Sequence, residues 1–86
     1  MNTTFLLMAR YEALPVIPAE VVCRDFFAPL SLPKFMVKIS NGEIKLPLVR
    51  MEVSQKGARG VALSDLAAFI DARCAAARKE ASSLQA

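Results

Sequence analysis

Two breaks in the middle of the chain, at residues 28–31 and at Asn41-Gly42, constrain the fold more than any other feature of the sequence. The first break contains Pro29 and ends on Ser31, a residue type that caps the N-termini of helices. The second ends on a glycine, which suits the left-handed position after a helix. Apolar residues recur every three or four positions before each break and alternate with polar ones after the second. This order predicts two short helices joined by a tight turn and followed by strands.

The second of these helices, from about Ser31 to Asn41, has two different faces. The inward face carries four apolar side chains, namely Leu32, Phe35, Met36 and Ile39. The outward face carries Lys34, Lys38 and Asn41, which can approach a duplex together. Asn41 could read an adenine or simply end the helix, since Asn-Gly is also an ordinary helix stop. Val37 lies between the lysines and could contact a thymine methyl group, but we expect it to close the edge of the core.

The other elements complete a known arrangement. The first helix of the pair, residues 18–28, follows an extended segment at residues 14–18. Segments 49–53 and 60–63 predict a β-hairpin whose polar tip is residues 54–59. Ser64 is placed to cap a last helix, whose inward residues are Leu66, Phe69, Ile70, Cys74 and Ala77. The sequence therefore predicts an α+β fold, a small winged helix-turn-helix domain, over residues 1–80, with a flexible C-terminal tail at residues 81–86.

The N-terminal residues 2–11 are compatible with a short helix or with a brief buried strand, and we favour the helix. Asn2 or Thr3 could cap such a helix, with Phe5 and Met8 directed inward. The apolar run at residues 5–8 is more than a small monomer needs to fill its core. Part of it is therefore a candidate for contact within a homodimer or a higher homo-oligomer.

Positive charge is concentrated in the middle of the chain. Residues 34–59 contain six basic and two acidic side chains, a net charge of +4. The remainder contains five basic and six acidic side chains, so the whole chain carries +3. A small domain with cations gathered on one helix and one hairpin has the electrostatic character of a nucleic-acid binder. The simpler interpretation, that these are solvated surface charges, stays open for each residue taken singly.

Composition argues against several other classes of function. The chain has no histidine, and its two cysteines, Cys23 and Cys74, have no further ligands with zinc-site spacing. We expect both cysteines to be small core residues. We also expect the protein to bind no metal or cofactor and to have no enzymatic activity. No apolar segment is long enough to span a membrane, and the first residues do not resemble a signal peptide. These features predict a cytoplasmic protein, associated with the nucleoid when it is bound to DNA.

Several blocks of sequence resemble the pyocin activator protein (PrtN) family. They read NTTFLLMARY, VCRD, GEIKLPLVR, SQK, DLA and FIDAR, and together they extend over nearly the whole chain. The resemblance implies a small bacterial or prophage transcription activator that binds a promoter element of phage-tail-like bacteriocin genes, downstream of a DNA-damage response. The GEIKLPLVR block with the basic turn after it also resembles excisionase and Cox-type phage regulators.

The candidate DNA contacts come from the helix face and the hairpin, because the resemblance supplies no contact residues. They are Lys34, Lys38, Asn41, Arg50, Ser54, Gln55, Lys56 and Arg59. The expected partners are double-stranded DNA, RNA polymerase and further copies of the chain. Two alternatives stay open: a recombination directionality factor of the excisionase type, and a protein-interaction module that does not bind DNA.

Overall fold

The computed structural model describes residues 2–52 and 58–85, which form four helices around a small antiparallel sheet. In chain order the elements are α1 (Thr3–Arg10), β1 (Val16–Pro18), α2 (Ala19–Phe26), α3 (Leu32–Ser40), β2 (Val49–Arg50), β3 (Arg59–Ala62) and α4 (Leu63–Gln85). The strand order is β1-β3-β2, and β3 is antiparallel to both neighbours. The predicted α+β class is confirmed, and the order of the described elements is compatible with a small helix-turn-helix domain that has a wing.

The turn between α2 and α3 has the predicted capping. The Ser31 hydroxyl accepts a hydrogen bond from the Lys34 N–H at 3.4 Å, and Pro33 lies in the first turn of α3. The buried thiol of Cys23 donates to the Leu30 carbonyl at 3.2 Å and so ties the turn to α2. After α3, Gly42 adopts φ +78°, the left-handed conformation expected of a glycine that follows a helix.

Aromatic side chains join α3 to the rest of the core. Phe35 is completely buried, and its ring centroid lies 4.8 Å from that of Phe27. Phe27 in turn lies 5.8 Å from Phe69 of α4. The other fully buried side chains are Ile17, Val22, Val61 and Leu66. One face of α3 is therefore fixed against the domain, which leaves its opposite face exposed.

The strand β1 was not predicted as a strand. The two prolines at residues 15 and 18 do make this segment extended, as expected. What the sequence pattern does not reveal is that Val16, Ile17 and Pro18 pair with Ala62, Val61 and Gly60. Because Pro18 belongs to β1, α2 begins one residue later than predicted, and it ends at Phe26 before the turn.

The helix α1 is present, but its inward face differs from the prediction. The Asn2 side chain caps it by accepting from the Thr4 N–H at 2.7 Å. Leu7 and Tyr11, one turn apart, are the buried side chains, whereas Phe5 is 65% exposed and Met8 is 38% exposed. The expectation that Phe5 and Met8 point inward was wrong because α1 packs on α4 through the other side of the helix.

The helix α4 is longer and less buried than predicted. It begins at Leu63, directly after β3, so Ser64 lies inside the helix and does not cap it. It continues to Gln85, where we expected helix content to fade after Lys79, because alanine-rich sequence without glycine or proline gives the helix no reason to stop. Cys74 and Ala77, expected in the core, are exposed because they follow Ile70, the last residue of α4 that packs against the core cluster. The predicted domain limit at residue 80 stays a prediction.

Candidate nucleic-acid interface

The outward face of α3 presents cations on either side of an apolar side chain. Lys34 is exposed, Lys38 is partly exposed, and Val37 between them is 56% exposed. With Pro33 and Glu43 they form a shallow depression of about 300 Å³. The expectation that Val37 closes the core was wrong. It lies two positions after the buried Phe35, about 200° further round the helix.

An acidic side chain borders this face. Glu43 follows Gly42, and its carboxylate lies 3.9 Å from the Lys38 ammonium. Both side chains are largely exposed to solvent, so this ion pair contributes little to stability. For Lys38 to contact a phosphate, its ammonium must exchange the Glu43 carboxylate for the phosphate oxygens.

Asn41 ends α3, as one of its two interpretations requires. It is the C-cap residue, and its backbone N–H donates to the Val37 carbonyl at 2.9 Å. The residue is exposed and lies one turn after Val37 on the outward face. The backbone role and a side-chain contact with a base are compatible, since they use different atoms.

The two predicted arginines of the hairpin face one another. Arg50 of β2 is paired in register with Arg59 of β3, so their side chains lie on the same face of the sheet. The Met51 N–H donates to the Ala58 carbonyl at 3.0 Å and extends this pairing toward the tip. The other predicted contacts of the hairpin tip, Ser54, Gln55 and Lys56, lie outside the described residues.

The helix α2 connects the lysines of α3 with the arginines of the β2–β3 pair. α2 packs against α3 on one side and against β1 and β3 on the other. The lysines of α3 and the arginines of the hairpin are therefore attached to the same scaffold through α2. Their relative position is fixed by core residues of this helix, chiefly Val22 and Cys23, which are buried.

A third polar cluster, which the sequence did not indicate, centres on Asp25. The Tyr11 hydroxyl donates to its carboxylate at 2.6 Å, the Arg24 Nε donates at 3.0 Å, and an Arg10 nitrogen lies at 3.6 Å. Arg24 therefore pairs with Asp25, the residue that follows it in the chain. Because Tyr11 and Asp25 are 14 positions apart, no local spacing signals this contact. The cluster fixes the end of α1 to α2 and has no direct part in the basic surface.

The Asp25 cluster shifts the acidity of its members. Burial raises the pKa of Tyr11 to about 12, and its hydrogen bond to the Asp25 carboxylate acts in the same direction. The same hydrogen bond, followed by that from Arg24, lowers the pKa of Asp25 below its usual value. The pKa of Arg24 is raised, chiefly by its hydrogen bond to Asp25.

The part of the chain that the structure describes offers no other built site. It contains no group of three or more histidine, cysteine or acidic side chains that could hold a metal ion. Cys23 is buried, whereas Cys74 is exposed, so the expectation of two core cysteines was wrong for Cys74. None of the described helices is both long enough and apolar enough to cross a bilayer.

Comparison with known proteins agrees with the blocks of sequence noted above. A family model described as pyocin activator protein PrtN matches residues 3–77, from α1 to the middle of α4. The matched region includes every predicted DNA contact. Comparison with curated proteins gives no match, and comparison with solved structures gives none either. Because the match extends over most of its length, the chain belongs to the pyocin activator protein PrtN family.

Proposed function

We propose that the protein activates transcription of phage-tail-like bacteriocin or prophage genes by binding a promoter element in double-stranded DNA. The observation that carries the proposal is the two-sided character of α3. Phe35 fixes one face in the core, while Lys34, Val37 and Lys38 project from the other. A short helix held in this way, with cations on its outer face, fits the major groove. Membership of a family described as activators supports the direction of regulation.

Each residue of the α3 surface has a distinct role in this proposal. Lys34 and Lys38 neutralise phosphates or reach guanine edges, and Asn41 reads an adenine through two hydrogen bonds. Val37 contacts a thymine methyl group, which its exposure between the lysines makes possible. A correct bidentate contact contributes about 1–3 kcal/mol of discrimination between bases.

The hairpin adds affinity as a wing. Arg50 and Arg59 contact phosphates beside the groove that α3 occupies, and Ser54, Gln55 and Lys56 stay predicted contacts with the same DNA. One module of this size buries only about 600–1,000 Å² of protein surface on DNA. We therefore propose that it binds as a dimer or a longer assembly on repeated elements, without a cofactor, and that it recruits RNA polymerase from there.

The test is selection of bound fragments from bacterial genomic DNA with the purified protein, followed by affinity measurements on the best fragment. We expect Lys34→Ala and Lys38→Ala each to weaken binding about tenfold, with loss of specific enrichment in the double variant. Lys79→Ala is the matched control, since it removes the same charge from an exposed position on α4. A promoter reporter carrying the selected fragment then measures activation.

The results separate the proposal from its alternatives. Enrichment upstream of phage-tail-like genes, with reporter activation, supports the activator. Enrichment only at attachment sites would replace it with an excisionase-type recombination factor. The absence of a shift on any DNA at low salt would exclude DNA binding and leave a protein-interaction module.

A further inference from the structure

The helix α4 extends beyond the domain to which it belongs. Its 23 residues span about 35 Å at about 1.5 Å per residue, and the longest dimension of the described chain is 50 Å. The radius of gyration is 14.3 Å, whereas a compact domain of this length has about 12 Å. A free helix of about three turns is only marginally stable in water. Contact with a partner would therefore stabilise the projecting part, which its alanine-rich sequence alone holds only marginally.

The projecting part continues the apolar line of the core. Ala67 and Ile70 face the core on α4, and the same three-four spacing leads onward to Cys74, Ala77, Ala81 and Leu84. All four of these onward residues are exposed, and Leu84 is 87% exposed. The apolar face by which α4 packs on the domain therefore extends beyond the edge of the domain, and there its side chains are exposed.

We infer that this face binds the same face of a second copy of the chain as an antiparallel helix pair. The charged side chains on either side of this apolar line favour a second copy as the partner and an antiparallel orientation of the two helices. On one side are Arg73 and Glu80, and on the other are Asp71 and Arg78. The Asp71 carboxylate also accepts a hydrogen bond from the Thr3 hydroxyl of the same chain at 2.5 Å, so the pairing of Arg73 with Glu80 carries most of the argument. Antiparallel helices bring Arg73 opposite Glu80 of the second copy and Asp71 opposite Arg78 of the second copy, each pairing occurring twice. A parallel pair would instead place Arg73 against Arg78.

The same charges select one register. With Cys74 opposite Ala77 of the second copy, and Ile70 opposite Ala81 of the second copy, every flanking charge meets its opposite. A shift by seven residues toward the C-terminus would pair Glu80 with Glu80 and Arg78 with Arg78. Only the first register combines a continuous apolar contact with complementary charge.

The register also gives Leu84 a place to bind. It brings Leu84 of the second copy to a cavity of about 310 Å³ at the base of the projecting helix, whose mostly apolar lining includes Phe26, Phe27, Ile70 and Cys74 together with Arg73. Phe26 is 41% exposed there although it belongs to a core-facing helix. Ala81 and Leu84 lie beyond the residues 3–77 that match the family model, so this contact uses residues of the chain outside the family match.

The first test is the dimerisation constant of the full chain without DNA, measured by analytical ultracentrifugation. We expect Leu84→Asp to weaken the dimer at least about thirtyfold. Ser83→Asp adds the same charge about 100° further round the helix, away from the apolar line, and should leave the dimer within about threefold of the wild type. The inference would be overturned if the two variants had the same dimerisation constant. It would also be overturned if the wild-type chain were monomeric at about 100 μM, the weakest dissociation constant that we expect for the dimer.

The second test uses charge reversal to determine whether the two α4 helices are antiparallel or parallel. Arg73→Glu and Glu80→Arg should each weaken the dimer about tenfold, and the double variant should recover it, because Arg73 and Glu80 are too far apart on one helix to interact. A parallel pair would respond oppositely to Arg73→Glu, because the new carboxylate would meet Arg78. Tightening by this variant would therefore contradict the antiparallel arrangement. Since no DNA is present, failure here leaves the proposed DNA binding untouched.

Discussion

At the scale of single residues, Asp25 does the most to position the N-terminal third of the chain. The Tyr11 hydroxyl and the Arg24 Nε donate hydrogen bonds to its carboxylate, and Arg10 forms an ion pair with it. Arg10 also lies 5.4 Å above the Tyr11 ring, and the Tyr11 and Phe26 rings are 6.5 Å apart. The end of α1 is thereby held against α2, the helix that carries α3 and the sheet. The cluster thus supports the helix against which α3 and the sheet pack.

Tyr11 provides a direct optical test of this cluster. It is the only tyrosine and the chain has no tryptophan, so absorbance near 295 nm reports its ionisation alone. Because burial and the Asp25 hydrogen bond raise the pKa of Tyr11 from 10.0 to about 12, we expect the native midpoint well above that in urea. A native midpoint near 10, with unchanged circular dichroism, would contradict the buried hydrogen bond.

The same pKa shifts fix the direction of the pH dependence of stability. The folded state holds the Tyr11 proton more tightly, so this contribution is complete below pH 10 and is lost as pH rises toward 12. The pKa of Asp25 is lowered, so its contribution is complete above its ordinary pKa of 3.8 and is lost as pH falls through the folded value. In Tyr11→Phe the alkaline loss should disappear from thermal melts recorded across this range.

At the scale of elements, the strand β3 organises the sheet and requires a glycine. A Cβ on Gly60 would lie 2.6 Å from Val16 Cγ1 and 2.7 Å from the Ile17 carbonyl oxygen. The first neighbour is a side chain that can move, but the second belongs to the backbone of β1. Close approach of β1 to β3 therefore depends on the absence of a side chain at residue 60.

Gly60→Ala should accordingly destabilise the fold by about 1–3 kcal/mol, the usual cost of overpacking. Chemical denaturation measures the change. Adding Val16→Ala relieves one of the two close contacts, so the double variant should lose less stability than the two single changes together. It should still be less stable than Val16→Ala alone, because the Ile17 carbonyl remains. A wild-type stability for Gly60→Ala would disprove the tight β1–β3 approach.

Local sequence signals predicted most of these elements. Most of the errors concern contacts between segments that are distant in the sequence. Proline, serine and glycine at the breaks, with the spacing around Phe35, are enough to place α3 and its outward lysines. The pairing of β1, the contact of Tyr11 with Asp25 and the exposure of Cys74 all depend on segments distant in sequence. The error at Val37 is a local one, because its position two residues after Phe35 already places it about 200° round α3, on the outward face.

At the scale of the whole molecule, the two proposed surfaces lie on different elements and can act together. The lysines and arginines belong to α3 and the β2–β3 pair, whereas the apolar line extends from the far part of α4. A second copy bound through α4 therefore leaves both α3 helices available for DNA. Two half-sites would then be bound by one assembly, and weakening the dimer should weaken DNA binding without any change in the basic surface.

The salt dependence of DNA affinity tests this coupling. Each phosphate contact adds about 0.9 to the slope of log affinity against log salt. Four contacts per copy, from Lys34, Lys38, Arg50 and Arg59, give a slope of about −3.6 for one copy and about −7 for a pair. We expect Leu84→Asp to bring the slope toward the single-copy value while Ser83→Asp leaves it unchanged. Arg50→Ala in the intact pair should reduce it by about 1.8, since two contacts disappear. A slope unaffected by Leu84→Asp would mean that each copy binds DNA independently.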